Sequence, residues 1–404
     1  MCERIEAQMA RYCLAAGCRL LSTLAKLRFR PLAGQTVRHV VVYRVGNIGD
    51  TVVAIPALTA IREAFPEAVI TLLTSSGSSE LRGAALVLEA FPGLVNRIIS
   101  YLPSEVKSLT GLQRFRTEVT TVGSVDLFVD LPVSMQTLRR GLQELFLAHW
   151  LGSRSATGFV LLLPEVFKSA YCRQMPERIP RTADWLLSIV VQALSIPDRE
   201  VDTLRFFKPP IQLDWGGLGL DEGRPVLVVN AGAKLAIKRW PATHFKETLR
   251  QLSEQVPGLQ TVLVGNAEER GLNDEIAANL PGVVNLAGRL SLSETWALLS
   301  QAALVLSNDT GTMHMAGLLQ KPVFSPMGGQ YPAPLWHPPG KHFISCRHPV
   351  PCAPCFRDTC PLPEQSCLTE VTHAEVASGI ASMLLAPWPA QASPATTQET
   401  VSGI

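Results

Sequence analysis

The most constraining feature of this 404-residue chain is an alternation, met twice, of short apolar runs with longer helical segments. "VRHVVVYRV" (37–45), "AVITLLT" (68–74) and "VDLFVDL" (125–131) read as strands buried on both faces. Helices are expected between them, from about Thr51 to Ala64 and near 135–150. At 197–224 the pattern breaks into "PDREVD" and "FKPPIQLDWGGLGLDEG", whose Pro, Gly and charge mark the best interdomain boundary. A second alternation follows. Strands are expected at 225–230, 260–265, 283–288, 303–309 and 322–327, with helices at 241–255, 269–279, 291–301 and 312–319. A final helix follows Thr372, with Glu375 three residues on as a capping box. Buried parallel strands separated by helices imply an α/β protein of two Rossmann-like, doubly wound domains with a cleft between them.

Length and composition agree. A chain this long exceeds what a single core supports, and 47% apolar with 17% charged residues describes a packed globular protein. The net charge of +2 is uneven: residues 1–35 carry six Lys/Arg against two Glu, a local +4, leaving −2 for the rest. That balance argues against a nucleic-acid-binding body. Residues 1–36 read as a basic amphipathic extension, with Ile5, Met9, Cys13, Ala16, Leu20, Leu24 and Leu27 at helical spacing. Such a helix suits either a membrane surface or a face of its own protein. The richest apolar stretch, "WLLSIVVQALSI" (185–196), is too short for a span and suits a buried helix. The N-terminus lacks the order of a secretory signal, so a reducing cytoplasm is expected. The tail 387–404 is expected to be disordered.

The first domain would be 37–205 and the second 206–386. In the second, "LVLSNDTGTMHMAGLLQKPV" (304–323) delivers a strand to Asn308-Asp309-Thr310-Gly311 and then starts a helix. The free N–H groups and positive end of that helix suit a diphosphate, with Thr310 and Thr312 adding hydroxyls and His314 near the same mouth. The alternative is a capped helix with a satisfied histidine. "NAGAKLAIKRWPATHF" (230–245) repeats the layout, with Ala231-Gly232-Ala233 as a small-residue loop and Lys238 placed to reach a phosphate. In the first domain "RVGNIGDTVVAIPAL" (44–58) puts Gly46, Asn47, Gly49 and Asp50 at a strand end. Asp50 could be an N-cap for a helix starting at Thr51, or a base facing the cleft.

Together, "GNIGDTVVAIPAL", "KRW" before a helix and "NDTGTMHMAGLLQKPVFSPMGG" resemble the family 9 glycosyltransferases, the lipopolysaccharide heptosyltransferase family, over about residues 38–385. The resemblance implies a GT-B fold and an enzyme that inverts a sugar, typically heptose, as it moves it from a nucleotide-diphosphate donor such as ADP-heptose. The acceptor would be a lipid-linked saccharide such as the lipopolysaccharide inner core, reached from the N-terminal domain at the inner face of the cytoplasmic membrane. By motif, Asp50 matches the family's catalytic base and Lys238 a contact to donor phosphates. Asp309, Thr310, Gly311 and His314 match the donor signature. Glu268 falls where the family places an acidic residue on the nucleoside, and Leu290 matches an apolar donor contact. Gly46, Asn47 and Gly49 form the acceptor-side loop. The chain departs from the pattern in "NAGAKLAIK", which lacks hydroxyls that some members place there. A silent sugar-nucleotide-binding protein and a GT-B sugar-nucleotide epimerase are the rival readings.

"CAPCFRDTCPLPEQSC" places Cys352, Cys355, Cys360 and Cys367 in a C-x2-C-x4-C-x6-C run. Four thiolates could close a structural zinc site, and plain reduced thiols are the alternative. Catalysis itself calls for no cofactor, because a lysine and a helix N-terminus can stabilise a departing diphosphate.

Overall fold

A computed structural model describes residues 2–385 except 33, 35, 76–82, 103, 106–107, 198–200 and 363. The expected tail therefore lies outside the described residues. Five strands, β1 (His39–Tyr43), β2 (Val69–Thr74), β3 (Arg97–Ser100), β4 (Leu127–Asp130) and β5 (Ser155–Thr157), form a parallel sheet in the order β3-β2-β1-β4-β5. Six more, β6 (Val226–Asn230), β7 (Gln260–Leu263), β8 (Val283–Asn285), β9 (Leu304–Ser307), β10 (Val323–Pro326) and β11 (Phe343–Cys346), form a second parallel sheet in the order β11-β10-β9-β6-β7-β8. Every residue of β1, β4, β6, β7, β9 and β10 is buried, which is why those runs read as continuously apolar.

Helices of the first unit are α1 (Cys2–Arg28), α2 (Ile48–Val52), α3 (Ile55–Ala64), α4 (Gly83–Leu88), α5 (Leu109–Thr120), α6 (Leu138–Trp150), α7 (Lys168–Gln174) and α8 (Thr182–Leu194). Those of the second are α9 (Ala242–Gln255), α10 (Arg270–Ala277), α11 (Leu292–Gln301), α12 (Gly311–Leu318), α13 (Ser366–Thr369) and α14 (His373–Leu385). The helix expected from Thr51 to Ala64 is two helices, broken at Val53–Ala54, with Pro56 in the first turn of α3, where a missing N–H costs nothing. Before α14, Thr372 Oγ1 accepts the Glu375 N–H at 3.2 Å, as the capping pattern predicts.

Between α8 and β6 the described residues 201–224 are no loose linker. Phe206, Phe207, Leu213 and Trp215 pack against a core that reaches from Val40 in β1 to Leu318 in α12. Phe91 and Phe207 both meet the ring of Trp296, at 5.5 and 5.8 Å. Trp296 is fully buried, so truncation to Ala would cost roughly 3–5 kcal/mol.

The N-terminal helix also packs on the body, through Ala7, Ala10, Gly17 and Leu21, against α6 and α7. Leu21 fits against Gly141 of α6, where an added Cβ would come within 2.8 Å of Cδ1. The stripe read from periodicity is a different face: Ile5, Met9, Cys13, Ala16, Leu20 and Leu27 are exposed. Among the described residues no helix is long and apolar enough to cross a membrane.

In both sheets the strand order reverses beside the first strand. Those reversals lie at β1/β4 and at β6/β9, where open α/β sheets form their ligand crevices, outside the strand carboxyl ends.

Candidate functional site

From β1 the chain passes Arg44 and Val45 into Gly46, whose φ of +148° strains any residue with a side chain. An added Cβ there would overlap the Cβ and Cγ of Asp50, so Gly46 is what lets Asp50 fold back over the turn. The helix then begins at Ile48, with Asn47 as N-cap and Asp50 inside the first turn. This corrects the N-cap expectation for Asp50. Its Oδ2 instead accepts the Asn47 N–H at 2.9 Å, the reciprocal half of a capping box, and its side chain stays 22% exposed. One oxygen caps; the carboxylate still meets solvent.

Across from this turn lies α12, opened by Thr310 as N-cap. The two helix starts pack glycine to glycine. A Cβ on Gly49 would stand 3.2 Å from His314 Cδ2 and 3.6 Å from Gly311 Cα, and one on Gly311 would stand 3.1 Å from Ile48 Cγ2. The positive end of α12 is therefore presented to the loop that carries Asp50.

Lys238 ends a short 3-10 turn, Ala236–Lys238, and its Nζ pairs with Asp309 Oδ2 at 2.7 Å, 5.2 Å from the centroid of the Tyr331 ring. His314 is 3% exposed, with Nε2 3.9 Å from Asp309 Oδ1 and no partner for Nδ1 among the described residues. Burial, against the opposing pull of Asp309, lowers its pKa to about 4, so it is neutral at pH 7. Thr310 Oγ1 is 3.1 Å from Ser307 Oγ, and Thr312 Oγ1 accepts from Asn230 Nδ2 at 2.7 Å.

Two strand-end asparagines, Asn230 and the Asn308 of the second motif, hold these loops together. Asn230 Oδ1 accepts the Gly232 N–H at 3.1 Å. Asn308, fully buried, accepts the Trp240 N–H at 3.2 Å and donates to the carbonyls of Ala231 and Gly232. The strand-end asparagine in "VVNAG" and in "SNDTG" is the signal that could have shown that role.

A recess beside Lys238 and Asp309 is lined further by Gln330, Tyr331 and Arg347. Arg347 donates to the Tyr331 carbonyl at 3.1 Å, while its Nε has no partner among the described residues. It is a second cation beside the expected phosphate position, missed because it follows a short edge strand. Glu268 is exposed; the carboxylate that turns inward is Glu269, which accepts the Asn266 N–H at 2.9 Å and lies over Gly232. Leu290 is half-buried at the end of the β8 connection, against the same core that Ile48 edges.

Cys352, Cys355, Cys360 and Cys367 are free, and among the described residues no group of three or more His, Cys, Asp or Glu could hold an ion. They are near enough for the other three to add to the rise that burial gives the Cys367 thiol. The backbone of the run is held by the Cys355 and Phe356 N–H groups, which donate to the carbonyls of Gly329 and Gln330. A cavity of about 800 Å³ elsewhere, around Ile211, Trp215 and Arg224, sits at the amino ends of β6 and β9, the wrong ends for a ligand crevice.

Two Rossmann-like sheets meeting at their switch points, with a carboxylate on one side and a cationic helix start on the other, define the GT-B class of α/β proteins. Residues 200–365 match the family model described as "Glycosyltransferase family 9 (heptosyltransferase)". The chain is 32% identical over 148 residues to lipooligosaccharide heptosyltransferase 2 of Haemophilus influenzae, covering 34% of this chain and 40% of that relative. It thus spans two-fifths of that relative's length. It is 25% identical over 379 residues to lipopolysaccharide heptosyltransferase 1 of Pseudomonas aeruginosa, covering 86% of this chain and 99% of the relative. The fold is shared with the Escherichia coli ADP-heptose lipopolysaccharide heptosyltransferase II, with a TM-score of 0.58 and 17% identity over 86% of this chain and 98% of that one. Over residues 200–365 the chain is thus similar to glycosyltransferase family 9.

Proposed function

We propose that the protein is an inverting glycosyltransferase that moves heptose from ADP-heptose to a lipid-linked saccharide of the lipopolysaccharide inner core. The observation that carries this is the close packing of the turn that holds Asp50 on the start of α12, next to the Lys238–Asp309 pair. In this reading the nucleotide lies along the second sheet's crevice and its diphosphate meets Lys238, Arg347 and the N–H groups of Gly311 and Thr312. Glu269 and Leu290 flank the nucleoside end. The acceptor comes over the Gly46–Gly49 turn.

The acceptor hydroxyl oxygen attacks the anomeric carbon from the face opposite the diphosphate, and Asp50 takes its proton. The bond from that carbon to the diphosphate oxygen breaks, and its electron pair leaves as ADP. Positive groups at the leaving side meet the new charge, so the step as drawn needs no metal. Neutral His314 adds no charge to the attacking side.

The relatives' printed substrates support the donor and acceptor classes. The outward face of α1 supports a site of action on the inner membrane surface in the cytoplasm. Its exposed Ile5, Met9, Tyr12, Leu20 and Leu27 are interleaved with exposed Arg4, Arg11, Arg19, Lys26 and Arg28, the composition of a helix lying on anionic lipid. The test is to incubate the protein with ADP-heptose, with and without heptose-deficient lipopolysaccharide. ADP release that requires the acceptor supports transfer. Donor consumed without acceptor identifies an epimerase or hydrolase, and binding without turnover a silent relative; either result overturns the proposal.

A further inference from the structure

Behind Asp50 lies a buried ionic cluster that the transfer step does not use. Arg44 follows β1 and is 2% exposed. Its guanidinium is fixed by backbone: Nε donates to the Asp50 carbonyl at 3.1 Å, and Nη1 to the carbonyls of Leu131 and Pro132 at 3.2 and 2.6 Å. The remaining nitrogen, Nη2, has no hydrogen-bond partner among the described residues and points its charge at Asp50 Oδ1, 3.5 Å away.

On the far side of Arg44 is Asp130, the last residue of β4 and the register partner of Tyr43. It is 0% exposed, and among the described residues neither carboxyl oxygen accepts a hydrogen bond. It lies against Glu144 of α6, itself 4% exposed and held by Gln136 Nε2 and, at 3.0 Å, by Arg140 Nε. Burial, and then the Glu144 charge, raise Asp130 well above the carboxylate range. Two buried carboxyls this close disfavour a second negative charge. Tyr43 and Tyr101, hydroxyl to hydroxyl at 2.8 Å, close the cluster on the side of β1 and β3. From the other domain, His314 and Tyr331 face Asp50.

We propose that Arg44 is the positioning residue of the base, a guanidinium locked by three carbonyls. Its free nitrogen fixes where the Asp50 carboxylate points. The capping bond holds one Asp50 oxygen and Arg44 draws on the other, so the carboxylate is set by two fixed groups rather than by loop packing. This rests on the reading of Asp50 as base. A rigid brace matters because misplacing a reacting group by about 1 Å can cost on the order of 100-fold in rate.

The test is a double-mutant cycle, measuring ADP release from ADP-heptose with heptose-deficient lipopolysaccharide, alongside calorimetric ADP affinity and thermal stability. Arg44→Gln is expected to lower kcat on the order of 100-fold, with ADP affinity unchanged. In an Asp50→Asn background the same substitution is expected to lower the residual rate no further, because it acts through a group already lost. Additive losses, or a wild-type rate in Arg44→Gln, overturn the assignment. Asp50→Asn at wild-type rate overturns the base reading, and this inference with it. Should Arg44→Gln fail to fold, Arg44→Lys, which keeps the charge but not the fork, carries the same cycle and the same expected non-additivity.

Discussion

Replacing Lys238 by Ala tests the donor site most directly, because the structure sets both what is lost and what must survive. The ammonium sits 2.7 Å from Asp309 Oδ2, with the side chains only 19% and 11% exposed. A charge-assisted hydrogen bond to a phosphate there is worth about 1.5–3 kcal/mol, or roughly tenfold to 150-fold in affinity. Asp309 does not cancel this, since an ammonium has three donors and can serve the carboxylate and a phosphate together. The expected result is a tenfold or greater rise in the ADP dissociation constant by titration calorimetry at one fixed salt concentration. Adenosine, which lacks the diphosphate, should bind as before. The substitution also strands a largely buried carboxylate, so stability should fall, by up to about 3 kcal/mol. Adding Asp309→Asn should recover that stability without recovering ADP affinity. Unchanged ADP affinity would refute the phosphate contact. An equal loss for adenosine would show general damage to the crevice instead.

Three further outcomes are expected. Asp50→Asn keeps an oxygen to accept the Asn47 N–H, so the fold should hold while kcat falls about 10²–10⁴-fold at unchanged ADP affinity; wild-type transfer would exclude the base. The triple change Ile5→Glu, Met9→Glu and Leu27→Glu touches only the outward face of α1, so it should abolish cosedimentation with anionic vesicles and leave thermal stability alone; retained sedimentation would reject the membrane face. His314 is held neutral in the folded state, lowered from 6.5 to about 4, whereas the unfolded chain protonates near 6.5. Its contribution is thus present above about pH 6.5 and lost as pH falls toward 4, on the order of 3 kcal/mol in all. Urea unfolding of His314→Gln should show a flatter decline than wild type over that window, and an identical slope would contradict the assignment.

How much of this was legible in the sequence depends on whether the deciding contacts are local. The central strands declared themselves because burial on both faces leaves no polar alternation. The short edge strands β3, β5 and β11 did not, since three or four partly covered residues carry no such signature. The loops at Lys238 and at 309–314 were legible because a strand end, a glycine and a helix start fall within a few residues of one another. The break between α2 and α3 was signalled by Pro56 and passed over. The periodicity of α1 was read correctly as amphipathic, but not which face packs: glycine and alanine fit α6 and α7 closely, and the larger apolar residues were left outside. The cysteine run shows its spacing in the sequence but not what holds it, since its Cys355 and Phe356 N–H groups donate to Gly329 and Gln330, outside the run. Arg44 was least legible of all. It sits six residues from Asp50, yet two of the three carbonyls that lock it are 87 and 88 residues away, and Asp130 comes near it because β1 and β4 are neighbours at the switch point. A motif shows a reactive group and the turn that carries it. The groups that aim it come from wherever the sheet order brings a second strand end, so the topology must be known before they can be named.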